Sequence, residues 1–529
     1  MSVSDTLRGR HLIVTGVTGF LGKVWLAHFL DHLPEIGKLT ILVRGQKQRT
    51  AEERFLYLAE RSPAFRTLRN RLGARFHELL DEKVEVITAN VSAPLCGIDE
   101  ETLDRLVETA DAVLHFAGLT DFEPDPPRAL DANVHGALHA ADLAARLKVP
   151  RLIHTSTAFV TGTRDGEVSE TLEVGHWPSG LEVAPKAELT HLAKLCEMKA
   201  RRIRLREVTD RAAELGFPNI YTYTKALAEH LLAQRTDIEL TTIRPAIVEC
   251  ALAYPFRGWN EGVNTSGPIC WLLSTWFRRF PAGPHVHFDI VPVDTVARAT
   301  TLITARALHG EARDIYQLGS GHKNPLYFER AIELNNMAIR RHHGRKEASA
   351  AERFWMRYCD AIAADPDKDR FPTMDLLKRA TRGVAKSLKK FDAQRMLPPA
   401  VYEKHGEKLD ERLRTTQQQF VEHERTLKRI EAMLKVYRPF IYDYDFVFRT
   451  DHMLAENELL GPDDATWVFD IEDLDWRDYW VNVHYPGLAK WTIPFLRGER
   501  VPDDPPFIYG QSGRVARHDS SAPRAQGQP

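Results

Sequence analysis

The sequence predicts an α/β protein in which a doubly wound parallel sheet is followed by a smaller, mainly helical C-terminal domain. Three observations predict this fold class. Short apolar runs alternate with helical patterns between His11 and Thr155. Glycines follow the first of these runs directly and open the first helical pattern. From about Leu326 onward the strand pattern fades, and charged helical patterns take its place.

Five apolar runs predict buried parallel strands. They are His11–Thr15, Leu39–Val43, Val84–Thr88, Ala112–Phe116 and Arg151–Thr155. Helical patterns follow the strands, as at Lys23–Leu33 and Asn133–Leu147. This alternation is typical of a parallel sheet with helices on both faces, a Rossmann-like fold. Two more runs, Leu240–Ile243 and Asp289–Val293, are predicted to extend the pattern.

Composition and charge exclude several function classes. The net charge of −2 indicates no nucleic-acid partner. The 5 cysteines are scattered without metal-ligand spacing, so no metal site is expected. The N-terminus enters a predicted strand almost at once, so no signal peptide is expected. The longest apolar run, Gly267–Phe277, is shorter than the ~18–20 residues of a membrane span, which indicates a cytoplasmic protein.

A glycine-rich turn after the first strand predicts a dinucleotide site. The stretch TGVTGFLGK places glycines three residues apart, and the absence of Ser or Thr after Lys23 excludes a Walker A loop. Such glycines let the backbone approach a pyrophosphate at a helix N-terminus. The residues expected to contact the cofactor here are Thr15, Gly16, Thr18, Gly19, Phe20, Leu21 and Gly22.

The loop after the second strand predicts the kind of nicotinamide cofactor. An NAD enzyme usually places an acidic residue there, whereas this chain has Arg44, which suits a 2′-phosphate. We therefore expect NADPH. Loops after the third and fourth strands add Asn90, Val91, Ala117 and Gly118 to the expected site. Asn133 is either a further cofactor contact or a helix N-cap.

The segment NIYTYTKALAE predicts a catalytic pair. Tyr221 and Lys225 are four residues apart and share one face of a helix. The ammonium is expected to lower the pKa of the phenol, which then donates a proton to a carbonyl oxygen. Tyr223 competes for this role but should point elsewhere. At the end of the fifth strand Thr157, or Ser156 instead, would stabilise an oxyanion, unless it only bonds the backbone.

The three motifs TGVTGFLGK, TSTAFV and YTYTK together resemble those of extended short-chain dehydrogenases. The stretches VLHFAGLTDFE, IRPAIVE, PFRGWNE and DIVPVD are similar to those of alcohol-forming fatty acyl-CoA reductases. Near the C-terminus, YRPFIYDYDFVF and FDIEDLDWRDY resemble that family's male-sterility-type domain. We therefore expect an NADP-binding domain with substrate-binding insertions over 1–355, a helical domain over 360–500 and a disordered tail over 512–529.

The resemblance implies NADPH-dependent reduction of a long-chain fatty acyl-CoA through an aldehyde to a primary alcohol. An acyl-carrier protein could also present the acyl group. The family resemblance also implies catalysis by Thr157, Tyr221 and Lys225, and it implies that Tyr221 and Lys225 contact the cofactor as well. It adds Pro245, Ile247 and Val248 to the cofactor site. Three alternatives remain open: a reductase that stops at the aldehyde, a sugar-nucleotide epimerase or dehydratase, and a non-catalytic NADPH sensor.

Three segments suggest where a lipid substrate would be handled. Apolar residues of Gly267–Phe277 and aromatic residues of Phe440–Phe448 could line an acyl channel, although ordinary core packing explains both equally well. The basic stretch Lys378–Phe391 could touch an anionic membrane surface, or could be a solvated helix face or a face that docks the CoA phosphates. The sequence does not predict the oligomeric state.

Overall fold

A seven-stranded parallel sheet organises the chain in the computed structural model. The structure describes residues 2–46, 48–262, 266–274, 278–342, 358–365 and 431–496, some positions between 379 and 428, and position 499. The strands are β1 (His11–Thr15), β2 (Lys38–Val43), β3 (Val84–Thr88), β4 (Ala112–His115), β5 (Arg151–Thr155), β6 (Gly166–Val168), β7 (Glu239–Pro245), β8 (Ile247–Glu249), β9 (Arg279–Pro281), β10 (Ile290–Pro292), β11 (Ile315–Leu318), β12 (Ile362–Ala364) and β13 (Phe446–Phe448). The order in the sheet is β11-β7-β5-β4-β1-β2-β3. The remaining strands form three parallel pairs, β10 with β8, β12 with β9 and β13 with β6.

Helices cover both faces of the sheet. Through the first two thirds of the chain they are α1 (Val3–Leu7), α2 (Phe20–His32), α3 (Ala51–Arg61), α4 (Arg66–Leu72), α5 (Arg75–Lys83), α6 (Glu100–Thr109), α7 (Pro126–Ala129), α8 (Gly136–Ala145), α9 (Pro185–Cys196), α10 (Arg201–Glu214), α11 (Ile220–Leu232), α12 (Ser266–Leu273), α13 (Val293–His309) and α14 (Phe328–His342). Near the C-terminus follow α15 (Asp451–Glu458), α16 (Trp476–Asp478), α17 (Tyr485–Trp491) and α18 (Ile493–Leu496). None of the helices described is long and apolar enough to cross a membrane.

The sheet confirms the predicted α/β fold class and corrects two strand predictions. The run Asp289–Val293 does contain a strand, but β10 pairs with β8 outside the seven-stranded sheet. The seventh position is taken by β11, which the sequence analysis did not identify. Its short run includes Gln317, whose buried amide donates to two backbone carbonyls in β6 and near β13. Because the run is only four residues long and contains a polar residue, its apolar pattern is too weak to predict a strand.

One helical pattern differs from prediction. The helix expected to begin at Asn133 begins earlier, at Pro126, and runs through a wide turn at Leu130–His135 into α8. The charged stretch before the YTYTK motif contains two helices, α9 and α10. Two short strands also occur beyond Leu326, where the sequence pattern of strands fades. These strands, β12 and β13, are three residues long, and each pairs with an earlier strand.

The described C-terminal residues 431–496 pack directly on the sheet domain. Apolar residues of α17 and of the turn before it belong to the same hydrophobic cluster as α2 and α13. The Tyr479 hydroxyl donates to the carbonyl of Cys250 at 2.7 Å, and the Ser266 hydroxyl lies 3.0 Å from Nε2 of His484. These buried contacts join the segment to the loops at the carboxyl edge of the sheet. The boundary near residue 355 stays a prediction, as does the tail, which lies outside the described residues.

Candidate active site

One large cavity opens at the carboxyl edge of the sheet, where ligands bind in open parallel α/β folds. Its volume is about 1070 Å³. It brings together four of the predicted elements: the glycine-rich turn, the end of β5, the YTYTK helix α11 and the β7–β8 segment. The predicted site residues that line it are Gly16, Gly19, Phe20, Leu21, Gly22, Gly118, Thr157, Tyr221, Lys225, Pro245, Ile247 and Val248.

The glycine-rich turn is shaped by close approach of its backbone to β4. Gly16 has φ +77°, and a Cβ placed there would lie 2.5 Å from the amide nitrogen of Ala117. A Cβ on Gly22 would collide with the Gly16 carbonyl. Gly19 is less crowded, since a Cβ there would meet only the Gly16 carbonyl at 3.3 Å. The turn therefore presents bare backbone to the cavity, which suits a pyrophosphate at the start of α2.

Thr15 holds the turn in place without lining the cavity. Its side chain is fully buried. The Thr15 hydroxyl accepts from the Ala117 amide at 3.3 Å and lies 2.9 Å from Nδ1 of His115. These bonds tie the end of β1 to the end of β4. Thr15 and Ala117 thus position the cofactor loop through the backbone.

The helix after the basic loop, α3, supplies a second arginine that sequence reasoning missed. Arg44 is exposed, as a residue meeting a 2′-phosphate at a surface should be. Arg54, in the first turns of α3, donates to the Arg44 carbonyl at 2.8 Å and to the Thr18 hydroxyl at 3.3 Å. Burial and the neighbouring Arg44 lower the pKa of Arg54. Arg54 therefore bridges the glycine-rich turn and the loop after β2, where an adenosine phosphate would lie.

The loop after β3 lies outside the cavity. Asn90 is exposed, and its side-chain oxygen accepts from the Ser92 amide at 3.3 Å. Val91 is half-buried, and its carbonyl lies 2.9 Å from Nδ1 of His139 on α8. Both residues follow the strand that neighbours β2, so they remain candidates for contact with an adenine. The described cavity does not extend to them.

Asn133 proves to be neither a helix N-cap nor a cavity residue. It lies inside the wide helical turn, so the N-cap alternative is wrong. Its side-chain oxygen accepts from the Leu119 amide at 2.7 Å, and its amide donates to the Thr224 hydroxyl at 3.0 Å. It sits behind Gly118, where a Cβ would come within 3.3 Å of the Asn133 oxygen. Asn133 thus joins the loop after β4 to the catalytic helix.

Helix α11 delivers both members of the predicted catalytic pair to the cavity. Its N-cap is Asn219, whose side-chain oxygen accepts from the Thr222 amide at 2.9 Å and fixes the start of the helix. Tyr221 and Lys225 then fall on the cavity side, one turn apart. The Lys225 ammonium donates to the Thr155 carbonyl at 2.7 Å. This bond anchors α11 to the end of β5.

The electrostatics of the pair differ from the sequence prediction. Burial raises the pKa of Tyr221 to about 12, and a hydrogen bond with Thr157 opposes that shift. Burial also lowers the pKa of Lys225 to about 8, against the attraction of Glu229. The expected lowering of the phenol pKa by the lysine is therefore wrong for this structure. A phenol that keeps its proton at neutral pH is nonetheless the state that donates during a reduction.

Two residues with hydroxyl groups, Ser156 and Thr157, follow β5. The Thr157 hydroxyl donates to the Pro245 carbonyl at 3.5 Å and accepts from the Phe159 amide at 3.4 Å, so it also makes the backbone bonds foreseen for it. The Ser156 hydroxyl is buried and has no hydrogen-bond partner among the residues that the structure describes. Both line the cavity. Ser156 therefore stays an alternative oxyanion donor to Thr157.

Tyr223, the competing tyrosine, points away from the cavity as predicted. It is fully buried, and its hydroxyl donates to the Glu188 carboxylate at 2.5 Å. Glu188 is itself buried and paired with Arg211 on α10. Tyr223 therefore fastens the α9–α10 insertion onto the catalytic helix.

The wall opposite the glycine-rich turn is mostly apolar and comes largely from residues that sequence reasoning did not single out. Part of the predicted channel is present, because Pro268 and Trp271 of α12 line the cavity. The predicted aromatics of Phe440–Phe448 instead stand behind Phe159, with the Phe159 and Phe440 ring centroids 5.1 Å apart. Other apolar lining residues are Phe122, Ala432, Met433, Val436, Tyr437 and Leu496.

Phe122 links the reactive tyrosine to this wall. Its ring is stacked near that of Tyr221, with centroids 6.1 Å apart. It also contacts the rings of Tyr437 and Phe440, at 5.7 and 5.6 Å. The phenol therefore lies at the boundary between a polar, glycine-lined half of the cavity and an apolar half. That arrangement suits a carbonyl at the end of a long hydrocarbon chain.

Comparison with known proteins identifies the source of this architecture. The sequence pattern of the family described as male sterility protein, an NAD-binding domain, matches residues 14–300. A probable fatty acyl-CoA reductase 5 of Arabidopsis thaliana is 28% identical over 517 residues, covering 92% of this chain and 98% of that one. The alcohol-forming fatty acyl-CoA reductase of Simmondsia chinensis is 26% identical over 519 residues, covering 93% and 99%.

A solved structure shares the fold at lower sequence identity. It is the reductase domain of a nonribosomal peptide synthetase from Mycobacterium tuberculosis. Its TM-score is 0.50 at 18% identity, and the likeness covers 90% of this chain and 92% of that one.

Proposed function

Because this chain belongs to the male sterility protein family, we propose that it reduces long-chain fatty acyl-CoA through a fatty aldehyde to a primary fatty alcohol, with NADPH as reductant. One observation carries the proposal. A single cavity joins a glycine-rich nucleotide turn, the Thr157–Tyr221–Lys225 group and an apolar wall. Relatives named for fatty acyl-CoA reduction align over nearly the whole chain and support the substrate class.

Two arginines support NADPH over NADH. Arg54 lies beside the glycine-rich turn and donates to the backbone carbonyl of Arg44, and no acidic residue occupies positions 44–46. Guanidinium groups bind a phosphate through paired, charge-assisted hydrogen bonds. A ribose 2′-hydroxyl would instead call for a carboxylate acceptor. The bare glycines of the turn leave room for the pyrophosphate beside them.

The first reduction uses the protonated phenol. A nicotinamide cofactor held along the turn would supply hydride to the thioester carbon. Tyr221 donates its proton to the carbonyl oxygen as charge builds there, while Thr157 or Ser156 donates a hydrogen bond to the same oxygen. When the C–S bond breaks, the carbonyl re-forms, its proton returns to Tyr221, and the thiolate of CoA leaves. The product is a fatty aldehyde.

The second reduction can use the same residues. After cofactor exchange, the aldehyde carbonyl occupies the position that the thioester carbonyl held. Tyr221 again donates its proton, and the product is a primary alcohol. The neighbouring ammonium of Lys225 stabilises the phenolate that this transfer leaves, and the phenolate then recovers a proton from solvent. The apolar wall supports retention of the aldehyde between the two steps, which favours the alcohol over release at the aldehyde stage.

Competing functions fit the cavity less well. A sugar nucleotide would place hydroxyl groups against the apolar faces of Phe122, Trp271 and Tyr437, which suit a hydrocarbon chain better. A sensor that only binds cofactor has no use for a phenol and a buried ammonium that line the cavity one helical turn apart. Acyl-carrier protein as donor is a variant of the same reaction, since the thioester chemistry is identical.

The experiment that tests the proposal compares two tyrosine variants. Tyr221→Phe should keep NADPH binding within twofold and reduce turnover of palmitoyl-CoA by roughly 10²–10⁴-fold. Tyr223→Phe removes the same atom from the same helix but outside the cavity, and should keep most of the turnover while lowering thermal stability. Both activities are measured by NADPH oxidation with product identification. Unchanged palmitoyl-CoA reduction in Tyr221→Phe would refute the mechanism.

A further inference from the structure

A cluster of exposed cations stands at the start of α10. We name Lys199, Arg201 and Arg202 the basic patch. The Arg201 side chain is 77% exposed, and its nearest acidic group is Asp125 at 3.8 Å. Lys199 and Arg202 are exposed, and neither has an ion-pair partner among the residues that the structure describes. The patch is therefore a concentration of largely uncompensated positive charge.

The basic patch is tied to the loop that forms one rim of the cavity. Arg204, one turn into α10, is paired with Asp125 at 2.8 Å. Asp125 follows Phe122 by three residues, which limits their Cα separation to about 11 Å. The Phe122 ring is stacked on Tyr221. The patch consequently stands just outside the cavity, on the side where the reactive tyrosine meets the rim.

The rim between the patch and Tyr221 has the opposite charge. Asp121 and Glu123 both line the cavity and are exposed. Phosphate groups are repelled from such a rim, whereas amide N–H and hydroxyl groups can donate to it. Asp125 does not extend this negative region, because Arg204 neutralises it. The loop beside Tyr221 thus offers an apolar ring at Phe122, hydrogen-bond acceptors at Asp121 and Glu123, and the cations that are tied to it through Asp125.

We propose that the basic patch binds the phosphate groups of the coenzyme A moiety of the acyl donor. This rests on the proposed function. Coenzyme A has matching chemistry in the matching order: a thioester, an uncharged pantetheine arm with amide and hydroxyl donors, and then several phosphates. With the thioester beside Tyr221, the arm crosses the acidic rim and the phosphates reach the patch. Arginine and lysine are the side chains that proteins use to hold phosphates.

A charge-reversal variant tests the assignment with three substrates. K199E/R202E should raise KM for palmitoyl-CoA at least tenfold with kcat nearly unchanged, because the patch acts on binding. Hexadecanal and S-palmitoyl-N-acetylcysteamine carry no phosphate, so their reduction should stay within twofold of the unmodified protein. The control R146E/K148E reverses two exposed cations before β5, at the opposite end of the sheet, and should leave all three substrates unaffected.

Each other outcome overturns the assignment. Unchanged KM for palmitoyl-CoA in K199E/R202E would show that the phosphates bind elsewhere. Equal losses with all three substrates would show that the substitutions damage the site or the fold. If palmitoyl-acyl carrier protein is tested as a fourth substrate, a loss of activity confined to it would identify the patch as a protein-docking surface. If the unmodified protein reduces hexadecanal but not palmitoyl-CoA, the proposed function itself fails, which the unmodified protein alone reveals.

Discussion

Replacing Gly16 with alanine should weaken cofactor binding. The strain of a left-handed backbone accounts for only part of the expected loss, because the new methyl group also collides with a neighbouring strand end. Gly16 has φ +77°, and Gly310, at the end of α13, has nearly the same φ of +78°. Alanine at either position pays the left-handed backbone penalty of about 1–2 kcal/mol. Only at Gly16 does the new methyl group meet another atom, the Ala117 amide nitrogen at 2.5 Å, since nothing lies within 4 Å at Gly310.

The two variants therefore separate backbone strain from steric displacement. A contact of 2.5 Å is one that real Cβ atoms essentially never show, so the turn must move away from β4. That movement shifts the backbone N–H groups that would meet the pyrophosphate. We expect the Kd for NADPH to rise at least tenfold in Gly16→Ala, which corresponds to about 1.4 kcal/mol.

The assay is cofactor fluorescence titration beside urea-induced unfolding. Gly310→Ala should lose about 1–2 kcal/mol of stability and bind NADPH as the unmodified protein does. Gly16→Ala should show both a stability loss and weak binding. Unchanged NADPH affinity in a folded Gly16→Ala protein would contradict the placement of the cofactor at this turn.

Three further predictions concern the cofactor, the pH profile and the core. Arg54→Ala should raise the KM for NADPH roughly tenfold and leave the KM for NADH unchanged in steady-state kinetics. Equal effects on the two cofactors would show that Arg54 does not bind the 2′-phosphate. Turnover should fall as pH rises through about 8, because the buried Lys225 loses its charge there, and a pH–rate profile flat to pH 10 would contradict this. Glu229→Gln leaves the buried Arg244 guanidinium without its counter-charge and should cost about 3–5 kcal/mol of unfolding free energy in urea. The exposed pair partner Glu239→Gln should cost less than about 1 kcal/mol, and equal costs would refute the argument from burial.

The strands and the reactive residues could be predicted because local sequence determines them. β1, β3 and β5 match the predicted apolar runs residue for residue. Tyr221 and Lys225 share a face through helix geometry alone. The glycine-rich turn places its backbone at the cavity because no side chain intervenes. In each case the spacing of a few neighbouring residues fixes the result.

The rest of the site depends on contacts between distant residues. Tyr437 and Leu496 reach the cavity only because the C-terminal segment folds back over β6 and α12. Arg54 gained its position through tertiary bonds to Thr18, although a cation in the helix after β2 was a usable signal. The pKa of Tyr221 rises rather than falls because burial, which the spacing of residues does not reveal, outweighs its polar neighbours. The stretch Lys378–Phe391, considered for membrane contact, falls largely outside the described residues.

The most direct test of the central claim is the stoichiometry of palmitoyl-CoA reduction by the purified protein. NADPH oxidation and CoA release are followed together, and the lipid products are extracted and identified by gas chromatography. The account predicts two NADPH consumed for each CoA released, with hexadecanol as the final product. One NADPH per CoA with accumulation of hexadecanal would contradict the alcohol-forming reaction. NADPH binding without reduction of acyl-CoA at any chain length would contradict the proposed substrate.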